Sequence, residues 1–243
     1  ARDLNRTEEA EGVFYTEKAV DSLEKSARLT LKDYAFWGDA YKHLHIKVDT
    51  DWAFVNQNAG STLYTDFGFQ GVFVIDGAGS TVYSVIEGEL RDVTIEAWLG
   101  QHVDELSNQA REAAKNVTPV TAFLNVGGIP AVVAAAALTP GTDPTIEVDE
   151  GPASVMVFVT VLDGPKLEAI GADYGIEGLR MLSANDAPSS SLLLLGDKGS
   201  AGILHWNPET PGQRLLGLML PLLGAAGLLV WGMTLVVLRR TTL

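Results

Sequence analysis

The chain has 243 residues, 47% of them hydrophobic, a formal net charge of −14 and no cysteine. That is enough apolar material for one large core or two small ones. The acidity, with no Lys/Arg cluster to offset it, excludes nucleic acid as a partner because phosphates would be repelled. Without cysteine there is no disulfide, no thiol nucleophile and no thiolate metal site.

The first element is a helix. Val13, Val20, Ala27, Tyr34 and Tyr41 fall seven residues apart, and Thr16, Leu23, Thr30, Trp37 and Leu44 form a second row three residues behind. This is a heptad seam over residues 10–45. At 1.5 Å per residue such a helix spans on the order of 50 Å and is expected to project from the globule as a stalk. The seam either joins two copies of the chain or packs on its own domain. Gly38 lies off the seam and marks a close backbone approach or slight bend.

A turn then leads to "DWAFVNQNAG", a short helix with Asp49 or Thr50 as N-cap and Gly60 as its stop. "GVFVID" (71–76) and "TVYSVIEG" (81–88) read as strands joined by a hairpin through "GAGS". Ile95, Leu99, Val103, Leu106, Ala110 and Ala113 make one apolar stripe, predicting a single helix over 93–115. "VTAFLNV" and "IPAVVAAAALT" are strands turned at Gly127-Gly128, and an acidic Pro/Gly-rich loop follows, suited to a solvent-facing connection. "ASVMVFVTVLD" (153–163) is so apolar that burial on both faces is expected. "GPKLEAIGADYG" is a short helix with Pro165 in its first turn, and "LRMLSA", "SSLLLLG" and "AGILHW" are short strands. The order predicts an α+β domain, a five-stranded antiparallel sheet with helices on one side and a ligand-sized concavity between them.

Residues 215–238 read "LLGLMLPLLGAAGLLVWGMTLVVL", 24 residues without a charge, where about 20 suffice to cross a bilayer. Arg239 and Arg240 follow, so the positive-inside rule puts the C-terminus in the cytoplasm and residues 1–213 outside. Export of an outside domain calls for an N-terminal signal or membrane anchor, expected upstream of Ala1, and a cytoplasmic portion is expected beyond Leu243.

"LTLKDYAFWGDAYKHL", "DTDWAFVNQNAGSTLYTDFGFQGVFVIDGAGSTVYS" and "HWNPETPGQ" together resemble the fourth class of CHASE domains, extracytoplasmic sensory domains of bacterial and archaeal signalling proteins. Trp37, Asp39, Tyr41, Trp52 and Asn56 stand where that pattern expects them, while Gly38 occupies a place where an acidic residue is common. The resemblance implies a PAS/Cache-like fold between two membrane helices. It further implies a cytoplasmic output, most often a GGDEF diguanylate cyclase with or without an EAL cyclic-di-GMP phosphodiesterase, less often a histidine kinase or chemoreceptor. The expected layout is a stalk (1–30), a periplasmic sensor domain (31–206), a connector (207–214), a transmembrane helix (215–238) and the start of a cytoplasmic part (239–243).

The chemistry of the chain points to binding rather than catalysis. There is no Gly-x-Ser-x-Gly nucleophile elbow, and His43 and His45, two apart on a helix, cannot share a metal. No cofactor is expected. Asp39 and His43 are four apart and are expected to meet as a surface pair. The candidate ligand residues are Trp37, Asp39, Tyr41, Trp52, Asn56 and Tyr83, aromatic walls with a few polar groups around a small molecule of unassigned identity. The competing role for Trp37, Tyr41 and Trp52 is to fix the helix to the sheet. The functional expectation is a sensor that relays ligand binding to a cytoplasmic enzyme, as a homodimer through the long helix. The alternative is a ligand-independent dimerisation or protein-interaction module.

Overall fold

The computed structural model describes residues 2–182, 191–196 and 199–207. Its first element is α1 (Arg2–Ala35). Next come α2 (Gly38–Tyr41), two π-helical turns (Lys42–Ile46 and Asp51–Val55) and α3 (Thr62–Thr65). The main sheet is built from β1 (Gly71–Ile75), β2 (Thr81–Ile86), β3 (Glu89–Leu90), β4 (Val120–Val126), β5 (Ile129–Ala137) and β6 (Val155–Val161), in the order β3-β2-β1-β6-β5-β4. Every neighbouring pair is antiparallel. The sheet therefore has six strands, not five. The sixth arises because Glu87 and Gly88 both take positive φ (52° and 78°), a tight turn that folds Glu89–Leu90 back on β2. The other two hairpins are set as locally. The Asp76 carboxylate accepts from the backbone of Ala78 and Ser80, and Gly127-Gly128 supplies the two positive-φ positions between β4 and β5.

Alternation along the strands splits the apolar residues between two cores. Val72, Val74, Val132, Ala134, Met156 and Phe158 point to α1, together with Ala27, Leu31 and Ala35 of that helix. Phe73, Ile75, Val133, Val157 and Val159 point the other way, towards α4 (Ile95–Leu99) and α5 (Asp104–Ala113). Helices thus cover both faces rather than one. The reason is in β1, β5 and β6, whose continuous apolar runs would leave one face wet otherwise. The alanines of β5 keep that strand thin on both sides, letting α1 and α5 approach closely. Phe158 lies at the centre of the α1 side, with the Tyr34 and Phe69 rings 5.7 and 4.7 Å away.

The helix expected over 93–115 is two helices. Gly100 leaves α4 in the left-handed conformation (φ 71°), and Val103, buried in the same core, re-aims the chain into α5. After β6 come α6 (Gly164–Tyr174), capped by the Asp163 side chain on the Lys166 N–H at 2.9 Å, and a second sheet. That sheet comprises β7 (Arg180–Leu182), β8 (Ser191–Gly196) and β9 (Gly199–His205) in the order β7-β9-β8. With α6 it encloses a third core of Leu162, Leu167, Leu179, Leu204 and Trp206.

The 34-residue α1 runs over both sheets, its Ala19 in the third core and its Leu31 in the first. The seam residues on α1 face the chain's own interior: Thr16 and Ala27 are buried, and Val13, Val20 and Leu23 pack on the third core. Thr16 is tolerated there because its hydroxyl donates to the Gly12 carbonyl at 2.8 Å. Trp206 lies flush on Gly12, where a Cβ would stand 2.2 Å from the indole nitrogen. The helix ends at Ala35, ten residues short of the expected 45, so Trp37, Tyr41 and Leu44 belong to other turns. The apolar segment 215–238, most of the connector and the terminal arginines lie outside the described residues. Among the described residues no helix is long and apolar enough to cross a membrane.

Candidate ligand site at the end of the long helix

The last helical bond of α1 runs from the Phe36 N–H to the Lys32 carbonyl at 3.1 Å. Trp37 is extended (φ −128°, ψ 127°) and starts α2. The break has a packing cause. The loop after β5 passes over the helix end, where the Thr139 N–H caps the Ala35 carbonyl at 3.0 Å. Gly38 admits that loop: a Cβ there would stand 2.6 Å from Cδ1 of Ile146. Gly141 (φ 63°) completes the fit, since its Cβ would stand 2.8 Å from the Phe36 carbonyl oxygen. The close approach expected at Gly38 is real, and its consequence is a terminus rather than a bend.

Beyond the break the chain winds as two π-helical turns joined by Asp49. One Asp49 oxygen accepts from the Trp52 N–H at 3.0 Å and the other meets Nδ1 of His43 at 3.1 Å. The Trp52 N–H, with a smaller contribution from His43, holds the Asp49 carboxyl below the usual carboxylate range. The His43 ring stacks on Trp52 at 4.8 Å and 10°, and Trp52 leans on Trp37 at 5.2 Å. The expected Asp39–His43 pair does not form. The wide turn beginning at Lys42 breaks the i,i+4 spacing, so Asp39 pairs with Lys42 at 3.7 Å and His43 with Asp49.

His45 takes a different environment. Its side chain is 6% exposed, its Nδ1 accepts from the Ser154 N–H at 3.2 Å and lies 2.9 Å from the Ser154 hydroxyl, and its Nε2 stands 3.7 Å from the Asp149 carboxylate. Burial lowers its pKa from the ordinary value, with Asp149 opposing. The Tyr41 ring leans on it at 4.7 Å and 50°, and its hydroxyl accepts from the Asp149 N–H at 2.9 Å.

An open groove of about 240 Å³ lies beside the helix end, lined by Phe36, Trp37, Gly38, Asp39 and residues 140–143. Asp143 on its far wall accepts from the Thr145 hydroxyl and N–H, and these bonds, aided by Lys42, keep it ionised to lower pH than usual. Of the six residues read from the sequence, Trp37 and Asp39 line this groove and Trp52 backs Trp37. Tyr41 and Tyr83 are buried core residues, Tyr83 donating its hydroxyl to the Ala59 carbonyl at 2.9 Å. Asn56 is exposed at the end of the second π-turn. Asp39 is 52% exposed at its side chain and already paired, so it does not need a ligand's charge to be satisfied. Sequence reasoning missed Asp143 and Asp149, because the acidic loop gives no local signal that it folds back over the helix end.

The described residues thus form a helix laid along an antiparallel α+β body and ending at an aromatic groove, with no cluster of metal-ligating side chains among them. Residues 19–182 match the model of the CHASE4 domain, and the chain belongs to that family of extracytoplasmic sensory domains. It is therefore a sensory segment and not an enzyme. The periplasmic domain of LuxQ from Vibrio cholerae is a structural neighbour, with a TM-score of 0.45 and 12% identity, covering 84% of this chain and 98% of that one. No curated protein sequence matches the chain.

Proposed function

We propose that the domain binds a small extracytoplasmic molecule in the groove at the end of α1 and passes the change along that helix towards the membrane. The observation that carries this reading is that Trp37 and Asp39 line the groove within four residues of Ala35, the last residue of α1. A ligand wedged between them and residues 140–143 bears directly on the helix terminus, and α1 spans both sheets. The signal can be no larger than the ligand's differential affinity for the two packings of the helix. In this reading residues 215–238 cross the membrane, and the regulated output is a cytoplasmic GGDEF and/or EAL cyclic-di-GMP enzyme. The test is thermal-shift screening of the whole chain in nanodiscs against a metabolite library. A hit whose shift disappears in Trp37→Ala and Asp39→Ala supports the groove; hits indifferent to both place binding elsewhere.

A second reading has its own observation. Phe14 and Leu29 are 53% and 54% exposed on α1, the side left over after the seam turns inward. They suit a homodimer or a protein partner, with the domain acting as a ligand-independent module of a histidine kinase or chemoreceptor. Sedimentation of the whole chain and of its Phe14→Asp/Leu29→Asp form separates the two. A dimer lost on double substitution, with no ligand hit, favours the module.

A further inference from the structure

The contact between His45 and Ser154 has a chemical asymmetry. A backbone N–H only donates, so the Ser154 N–H 3.2 Å from Nδ1 requires a lone pair there, and the neutral ring carries its proton on Nε2, facing Asp149. A second proton can go only to Nδ1. The Ser154 hydroxyl, 2.9 Å from Nδ1, can turn to accept that proton, but the Ser154 N–H then faces a donor, at a residue 2% exposed where water does not replace its lost acceptor.

Ser154 stands where the loop after β5 re-enters the sheet as β6, and its carbonyl accepts from the Leu138 N–H at 2.8 Å, closing the mouth of that loop. The same loop is held to the end of α2 by Asp149, whose N–H donates to the Tyr41 hydroxyl. Its residues 140–143 form the far wall of the groove.

We propose that His45 is a proton-operated latch: protonation at Nδ1 frees residues 139–152 from the start of β6 and widens the groove beside Trp37. The groups acting on the ring are few. Asp149 is the charge that faces it, 3.7 Å from Nε2, and Tyr41 lies against its plane. His43, in the same turn, is committed to Asp49, and Arg111 of α5 holds the neighbouring Ala153 carbonyl at 2.9 Å. Arg111 thus keeps the strand end in place while the loop before it lets go. Burial keeps the ring neutral at neutral pH and moves its protonation below the ordinary histidine range, while Asp149 limits how far. The latch is closed above about pH 6.5 and opens as the pH falls below it. This deepens the sensor reading by making the proton one of its inputs. The release needs no ligand, so it can fail while ligand binding stands.

The experiment is hydrogen–deuterium exchange of the whole chain in nanodiscs at pH 7.5 and 5.0, corrected for intrinsic exchange rates. Amides of residues 139–154 should lose about tenfold of their protection at the lower pH, as expected for orphaning a buried donor. His45→Gln keeps an acceptor for Ser154 and cannot be protonated, so its protection should be the same at both values. An unchanged wild type, or an equal loss in His45→Gln, overturns the latch. Nitrogen-15 spectra of the histidine rings decide independently of any variant's folding. Nδ1 of His45 must be unprotonated at pH 7.5 and gain its proton below the ordinary range, and an Nδ1–H tautomer at neutral pH refutes the proposal.

Discussion

Tyr83→Phe separates a packing role from a ligand role at a residue that sequence reasoning placed in the binding site. Tyr83 is 4% exposed, and its hydroxyl donates to the carbonyl of Ala59, a residue itself 1% exposed. The ring stays in place in the variant, so the loss is the hydrogen bond together with the desolvated carbonyl left behind. That is about 1–2 kcal/mol. For a chain of this size it lowers Tm by about 4 °C. The assay is thermal unfolding followed by circular dichroism, without added ligand. A second readout uses the phenol itself. Burial raises the Tyr83 pKa well above its ordinary value of 10.0, so among the six tyrosines Tyr83 should remain protonated in an ultraviolet titration until the fold gives way. The unfolded phenol ionises first, so stability falls as the pH climbs past about 10. A Tm within about 1 °C of wild type, or a Tyr83 that titrates with the exposed tyrosines, would refute the assignment of Tyr83 to the core.

Phe158→Ala removes the ring on which Tyr34 and Phe69 close and should cost about 3–5 kcal/mol in urea unfolding. A loss under about 1 kcal/mol would mean that α1 is not seated on β6 as described. Gly141→Ala forces a side chain into positive φ with its Cβ 2.8 Å from the Phe36 carbonyl oxygen, for a loss of about 1–3 kcal/mol in the same assay. An unchanged midpoint would show that the loop does not rest on the helix end. Asp49 is held below its ordinary carboxylate pKa by the Trp52 N–H and His43, so its contribution is present above about pH 4 and fades as the pH falls. Asp49→Asn should therefore lower Tm at pH 6 and converge with wild type near pH 2; parallel curves would contradict that linkage.

Much of the strand content was legible because strand signals here are local. Runs rich in β-branched and aromatic residues mark β1, β2 and β6, and Gly127-Gly128 and the Asp76 turn declare their hairpins without help from distant residues. Burial of β6 on both faces follows from its having no polar face to offer. The helices were harder. Periodicity carries straight through Ala35, since the heptad spacing of Trp37, Tyr41 and Leu44 is equally compatible with turns that merely bury the same residues. The stripe over 93–115 misleads in the same way, because Ile95, Leu99, Val103 and Leu106 all reach one core although the backbone breaks at Gly100.

The amino-acid order alone determined an acidic, cysteine-free α+β chain with a long amphipathic helix at its start, an aromatic stretch around Trp37 and Trp52, and a charge-free segment near its end. Those are properties of composition and short-range period. The tertiary structure decided that the helix stops at Ala35, that the loop of residues 140–143 makes a groove there, and that His45 meets Ser154, 109 residues along the chain. Each of these depends on a loop folding back over a helix end. Its driving force is burial shared among elements far apart in sequence, which no local window records.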